Sequence, residues 1–327
     1  MTTIFVTGAT GLTGSNVCTR LIQRGDRVRA LVRAPSDAEA LAAMGVELVG
    51  GDITSADSVR RAARGCDAAI HTAALLGGAS QDLADFEAVN FDGTRHVLDA
   101  AEALGMRRVV ALSTGTFFDT SGDGPLEEAP IAEHPSDDPY TVTKLAAFRE
   151  VQARAVAGQD VVTCHPGAIY GPGPVVKRAL ARTSFNRVLL AGLRGKLTRY
   201  LSFPVTWVFS DDVARGSIAA LDHGVSGERY MLNGRSEDVS STAECCNRVC
   251  EIAGLSRRVE DVEVSDDPAL LEEFGPTLVA IARNARGGSG RRSTDTPTRR
   301  RLGYRPISLD EGLVALVGWL RELGRLD

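Results

Sequence analysis

The chain has 327 residues, 43% of them hydrophobic and 24% charged, a balance that can bury a core and lies far from the low-hydrophobicity, high-charge signature of disorder. The length suits two lobes or one large α/β unit and excludes a single small module. A formal net charge of −5 supplies no global basic field for a phosphate backbone, so nucleic acid is not an expected partner.

The chain opens Met1-Thr2-Thr3-Ile4-Phe5-Val6 and reaches glycine by Gly8, without the charged and apolar regions of a secretory signal. It has no apolar run near the roughly 18 residues a membrane span needs. The expectation is a soluble cytoplasmic protein that does not act at a membrane.

Short β-branched apolar runs then alternate with helical periodicity. Strands are predicted at Thr3–Thr7, Arg27–Val32, Val46–Gly50, Ala68–His71, Arg108–Leu112 and Asp160–His165, with helices at Leu12–Arg24, Ala38–Met44, Ser55–Arg64, Leu83–Leu104 and Pro139–Ala157. This is the rhythm of βαβ units on a parallel sheet, so the fold class is α/β, a Rossmann doubly wound parallel sheet with a smaller, mixed C-terminal lobe for substrate. After Gly171-Pro172-Gly173-Pro174 the rhythm breaks. Val205–Phe209 and Glu228–Leu232 read as strands around a helix opened by Ser210-Asp211-Asp212. A dinucleotide-binding domain over 1–171 is expected, with 205–234 returning to it and with 172–204 and 235–327 forming the substrate lobe. Residues 284–301 are rich in Gly, Ser and Arg and read as a mobile loop; an amphipathic helix over Leu309–Leu323 closes the chain.

Charge is unevenly spread. Val161 to Ser210 contains no Asp or Glu, while Lys177, Arg178, Arg182, Arg187, Arg194, Lys196 and Arg199 lie within it. This is either a patch for an anionic substrate or a solvated face. The acidic stretch Asp119–Asp138 reads as a solvated excursion. The six cysteines form no CxxC pair, and Cys245, Cys246 and Cys250 sit in a helical pattern as small buried hydrophobes, so no metal site is expected.

Thr7-Gly8-Ala9-Thr10-Gly11-Leu12-Thr13-Gly14 lies between the first strand and the first helix. Its glycines let a diphosphate meet bare N–H groups at a positive helix end. The place after the second strand where an acidic residue would hold the adenosine ribose of NAD is Val32, followed by Arg33, whose guanidinium suits a 2′-phosphate. NADP(H) is therefore the preferred cofactor, with NAD(H) the alternative and a plain surface role for Arg33 the competing explanation. Asp52 could accept from the adenine amino group with Ile53 against the ring, or be an ordinary helix-starting Asp.

Tyr140 and Lys144 are four apart at the start of a helix, on one face. An ammonium beside a phenol favours phenolate, which predicts a lowered tyrosine pKa. A hydroxyl from Ser113-Thr114-Gly115-Thr116 at the preceding strand end could bond a reacting carbonyl oxygen.

These residues resemble the extended short-chain dehydrogenase/reductases, with their epimerase/dehydratase and dihydroflavonol-reductase-like branches. The likeness is carried by the glycine turn, Ala30-Leu31-Val32-Arg33, Gly51-Asp52-Ile53, His71-Thr72-Ala73-Ala74, Asn90-Phe91-Asp92-Gly93-Thr94, Ser113-Thr114, Tyr140 with Lys144, His165-Pro166-Gly167-Ala168-Ile169-Tyr170-Gly171-Pro172, and Gly303-Tyr304-Arg305-Pro306. It implies Thr114 as the catalytic hydroxyl, with Ser113 the alternative, and Tyr140 as the acid/base. Lys144 would also hold the nicotinamide ribose, with Ala73, Ala74 and the run Pro166 to Ile169 lining the cofactor. Asn90 takes the place of the family's structural Asn, and a homodimer is the family's habit.

Family dehydratases carry an acidic residue just behind the catalytic Thr, where this chain has Gly115 and Thr116. Nucleotide-sugar epimerases usually have Asn where Ala168 stands and Arg near Val205. His165 replaces the more usual Arg and reads as structural. The expected activity is hydride transfer between NADP(H) and a small-molecule ketone, aldehyde or secondary alcohol. The alternatives are a nucleotide-sugar 4-epimerase with retained NAD and a non-catalytic NADP-binding protein.

Overall fold

A computed structural model describes residues 2–34, 38–77, 80, 82–122, 124–285 and 296–326. Strands β1 (Thr3–Thr7), β2 (Arg27–Val32), β3 (Glu47–Gly50), β4 (Ala68–His71), β5 (Val109–Leu112) and β6 (Val161–Pro166) follow the predicted rhythm to within a residue at each end. Between them lie α1 (Leu12–Arg24), α2 (Glu39–Ala43), α3 (Ala56–Ala63), α4 (Leu83–Phe86), α5 (Gly93–Ala103) and α6 (Pro139–Val156). Ile4, Val6, Ala68, Ile70, Val110 and Val162 are fully buried, as expected when helices cover both faces of a parallel sheet.

The predicted helix Leu83–Leu104 is not continuous. A π-helical segment, Glu87–Asp92, separates α4 from α5. The buried Asn90 lies in this wider turn, its amide bonded to both the N–H and the carbonyl of Leu75 (2.8 and 3.1 Å) and donating to the Thr143 hydroxyl (3.2 Å). A π turn takes in one more residue than an α turn, and here the polar bonds of Asn90 hold it.

Beyond β6 come β7 (Ala168–Tyr170), α7 (Val176–Ala179), α8 (Phe185–Leu193), β8 (Arg199–Leu201), β9 (Trp207–Phe209), α9 (Ser210–His223) and β10 (Arg229–Leu232). The chain ends through α10 (Thr242–Ile252), β11 (Glu260–Val262), α11 (Pro268–Phe274), α12 (Pro276–Ala285), α13 (Pro297–Leu302) and α14 (Leu309–Glu322). The strand order is β10-β6-β5-β4-β1-β2-β3 in a seven-stranded sheet, parallel throughout, with β7–β9 and β8–β11 as separate parallel pairs. Thus β10 re-enters the main sheet after a long excursion, while β9 pairs with β7 outside it. Of the predicted strand Val205–Phe209, only its last three residues are β9; Val205 makes a single bridge to Ser240.

Two expected loops carry more order than their composition suggests. Within 284–301, residues 286–295 lie outside the described residues, but α13 follows, capped by the Thr296 hydroxyl, which accepts from the Arg299 N–H (3.3 Å), with proline in its first turn. The acidic excursion is pinned rather than merely solvated. Glu127 is buried and accepts from the Thr298 hydroxyl (2.7 Å), and the Arg229 guanidinium donates to the carbonyls of Glu127 and Ala129.

Candidate active site

Every strand of the main sheet points the same way, so the turn after β1, the end of β2 and the end of β5 open at one edge. At the turn, Gly8 has φ +69°, and a Cβ there would meet Ala73 N at 2.5 Å and Ala73 Cα at 2.7 Å. A Cβ on Gly14 would run into the Gly8 carbonyl and lie 2.7 Å from Thr72 Oγ1 and 2.8 Å from Ala9 Cα. Backbone therefore packs on backbone, with Ala73 directly against the turn and Ala74 next to it in sequence. The Gly11 N–H donates to the Gly8 carbonyl (2.9 Å), and Gly11, the residue before α1, brings no side-chain cap. The first N–H groups of α1, from Leu12 to Gly14, thus face outward without a side-chain acceptor, a cradle that fits a dinucleotide diphosphate.

At the end of β2, Val32 is buried and Arg33 exposed. A cleft of about 290 Å³ is lined by Thr10, Arg33, Ala34 and Arg178. Asp52 caps no helix; its carboxylate accepts from the N–H and hydroxyl of the neighbouring Thr54 (3.0 and 2.9 Å), while Ser55 caps α3. Ile53 is 8% exposed and lies so close to Gly93 that a Cβ there would meet its Cγ1 at 2.8 Å, so most of Ile53 is committed to the core.

Helix α6 begins with Asp138 accepting from the Thr141 N–H (3.0 Å) and Pro139 in the first turn. Lys144 is 3% exposed and its ammonium donates to the Leu112 carbonyl (2.6 Å). Burial pushes its pKa down to about 8. Tyr140 is half-buried, with the Thr114 hydroxyl within hydrogen-bonding reach. Its pKa departs from the expected direction. Burial raises it, the Thr114 bond only opposes that rise, and Asp138 adds to it. The Lys144 ammonium, bonded to the Leu112 carbonyl, is not among the groups that move it.

The two candidate hydroxyls are separated by environment. The Ser113 hydroxyl is buried without a hydrogen-bond partner, and Ser113 shares a void of about 10 Å³ with Lys144 and Phe148. Thr114 instead reaches Tyr140 and accepts from the Thr116 N–H (3.3 Å).

Two buried histidines support this edge, and their hydrogen bonds define their tautomers. His165 Nδ1 donates to the Thr114 carbonyl (2.7 Å), since a carbonyl can only accept; Nε2 then accepts from the Thr163 hydroxyl (2.9 Å). Thr94 Oγ1 gives its proton to the Asn90 carbonyl (2.6 Å), so His71 Nε2 donates to Thr94 (3.1 Å) and His71 Nδ1 accepts from Thr7 (2.7 Å). Burial holds both rings neutral, with pKa values pulled down to about 3. Rings of Phe117, Phe118 and Phe148 surround His165 at 5.1–6.1 Å between centroids, and the Arg229 guanidinium lies 4.4 Å over Phe118. Sequence reading missed this cage; the adjacent Phe117-Phe118 after the hydroxyl-bearing strand end was its only visible sign. It also missed Asn186, whose amide bonds both the N–H and the carbonyl of Gly171 (2.8 Å each) and so fixes the exit from β7. Pro166 and Ile169 are half-buried on the next strands, beside a Gly167 whose backbone packs against Thr206.

The acid-free run does not form one patch. Arg178 lines the cleft beside Arg33, Arg194 donates to the Arg325 carbonyl (2.8 Å) and Arg199 pairs with Glu273 (3.3 Å). All six cysteines are buried thiols, and among the described residues no cluster of His, Cys, Asp and Glu could hold a metal. Among the same residues no helix is long and apolar enough to cross a membrane.

A Rossmann sheet whose glycine turn, Tyr–Lys pair and strand-end hydroxyl share one edge defines the extended short-chain dehydrogenase/reductase class. The chain belongs to the NAD dependent epimerase/dehydratase family, whose profile matches residues 4–232, and that family binds NAD(P). It is 30% identical to the Sterol demethylase protein B of Methylococcus capsulatus over the whole of both chains. It is 28% identical to the 4-hydroxy-2-methyl-3-oxo-4-farnesyl-3,4-dihydroquinoline-1-oxide ketoreductase of Stigmatella aurantiaca, over 95% of each. The solved structure of gox2253 matches all of both chains with a TM-score of 0.84 at 26% identity.

Proposed function

We propose that this protein is an NADP(H)-dependent reductase/dehydrogenase acting on a ketone, aldehyde or secondary alcohol. The observation that carries this reading is the meeting of the Thr114 and Tyr140 hydroxyls at the end of β5, one turn from the buried Lys144, at the edge where the glycine turn opens. When bound, the nicotinamide supplies hydride for carbonyl reduction or accepts it in the reverse direction. Tyr140 gives its phenolic proton to the carbonyl oxygen, and a phenol kept protonated by burial suits donation at neutral pH. Thr114 donates a hydrogen bond to the same oxygen, and His165 fixes the backbone carrying that hydroxyl. Lys144, still largely protonated at pH 7, lies where it can bond the nicotinamide ribose. The Gly8–Gly14 turn would hold the diphosphate, and Arg33 would hold the 2′-phosphate. In this reading residues 1–171 and 205–234 hold the cofactor, while 172–204 and 235–327 shape the substrate site.

The ketoreductase likeness supports reduction, and the absence of an acid behind Thr114 supports it over elimination. The test pairs a binding and a turnover measurement. NADPH and NADH are titrated by fluorescence, and ketone-dependent oxidation is followed at 340 nm over bulky alicyclic, aromatic and aliphatic ketones. Tyr140→Phe is expected to lower turnover about 10²–10⁴-fold with NADPH affinity unchanged. Near-normal turnover removes Tyr140 from the acid/base role, and tightly retained NAD with no net oxidation favours an epimerase.

A further inference from the structure

The cleft at the end of β2 has walls from distant parts of the chain. Thr10 belongs to the phosphate turn and Arg33 and Ala34 follow β2, but Arg178 comes from α7, beyond the Gly171–Pro174 break. Its approach is built in. The Asn16 amide donates to the Pro172 carbonyl (3.0 Å), Gly173 packs so closely on Leu12 that a Cβ would meet its Cδ1 at 2.8 Å, and the Ser210 hydroxyl also donates to Pro172 (2.8 Å). These contacts fasten the start of the excursion to the N-terminal part of α1 and to the start of α9, and bring α7 toward the nucleotide edge. Arg178 itself is half-buried, whereas Arg33 is exposed.

We infer that Arg178 is a second determinant of NADP(H) preference, sharing the 2′-phosphate with Arg33 in the cleft that both line. Two guanidinium groups sharing one cleft suit a dianion, since a guanidinium gives charge-assisted hydrogen bonds to phosphate oxygens. At about 290 Å³ the cleft has room for a ribose phosphate, and its lining includes Thr10 and Arg33 but not Tyr140. The acid-free run, its cations otherwise part of the proposed substrate lobe, therefore contributes one cation to the cofactor. This inference rests on the proposed NADP(H) preference.

The experiment is fluorescence titration of NADPH and NADH against the full chain, Arg33→Ala, Arg178→Ala, the double variant and Arg178→Lys, each checked for an unchanged melting temperature without nucleotide. Wild type binding NADPH more tightly than NADH sustains the underlying reading; equal affinities overturn that reading and this inference with it. Given that preference, Arg33→Ala and Arg178→Ala are each expected to lose about ten- to hundredfold in NADPH affinity with NADH affinity changed less than twofold. The double variant should bind the two nucleotides alike, and Arg178→Lys should fall between wild type and Arg178→Ala. If Arg33→Ala erases the preference while Arg178→Ala leaves it whole, the second arginine is refuted and the cofactor reading stands. Equal losses of NADPH and NADH in Arg178→Ala place that cation on the diphosphate and also refute the inference. If Arg178→Ala melts lower, Arg178→Lys carries the test by the same ratio.

Discussion

Around the glycine turn, backbone is packed on backbone: Gly8 against Ala73, Gly14 against the Gly8 carbonyl. In the lobe built by α8, α10 and α14, side chain meets side chain, with Leu189, Leu193, Cys246, Val249, Leu313, Leu316 and Leu320 sharing one core with Tyr170 and Trp207. The first arrangement tolerates no added atom and needs glycine at set places. The second needs only apolar volume at helical spacing, which many residues supply. On the proposed reading, the cofactor cradle sits where the backbone is constrained and the substrate lobe where it is not.

That contrast can be broken by substitution. Gly14→Ala should have the largest effect, abolishing measurable NADPH binding in a fluorescence titration and lowering stability by roughly 1–3 kcal/mol through overpacking; retained binding would show that the turn yields. Leu313→Ala should cost about 2–5 kcal/mol in urea unfolding and leave NADPH affinity within a factor of two. A large loss of NADPH affinity would mean that the two regions are coupled.

The smallest effect is a pH dependence. His71 and His165 are held at about 3 against an ordinary 6.5, so between those values the unfolded chain binds protons that the folded chain refuses. Stability on their account is present above pH 6.5 and lost as pH falls towards 3. His165→Gln retains an N–H for the Thr114 carbonyl and removes the titration. Between pH 6.5 and 5 its urea stability should fall by about 2 kcal/mol less than that of wild type. Parallel profiles would show that His165 does not resist protonation.

The sheet was legible because its strands are short β-branched runs whose burial on both faces leaves a clear pattern. The π segment was not, because Asn90 looks like any polar residue in a helix until Leu75 and Thr143 are seen to bond it. Helix α13 was hidden by its arginines, although Thr296-Pro297 is a helix start. In the site, Tyr140, Lys144 and Thr114 could be picked out by residue type and spacing. Their electrostatics could not, since the direction of the Tyr140 shift depends on burial and on where the Lys144 ammonium points. Arg178 was visible only as one cation in an acid-free run, because its meeting with Arg33 depends on how Pro172 and Gly173 pack on α1.

Strand β10 pairs with β6 only after the chain has passed through α7, α8 and α9. A chain ending at residue 171, as on a ribosome midway through synthesis, would present β6 as a bare sheet edge, open to pairing with another copy. Covering of that edge thus waits for residues 229–232, and a truncated chain that stops at the Gly171–Pro174 break should collect in the insoluble fraction.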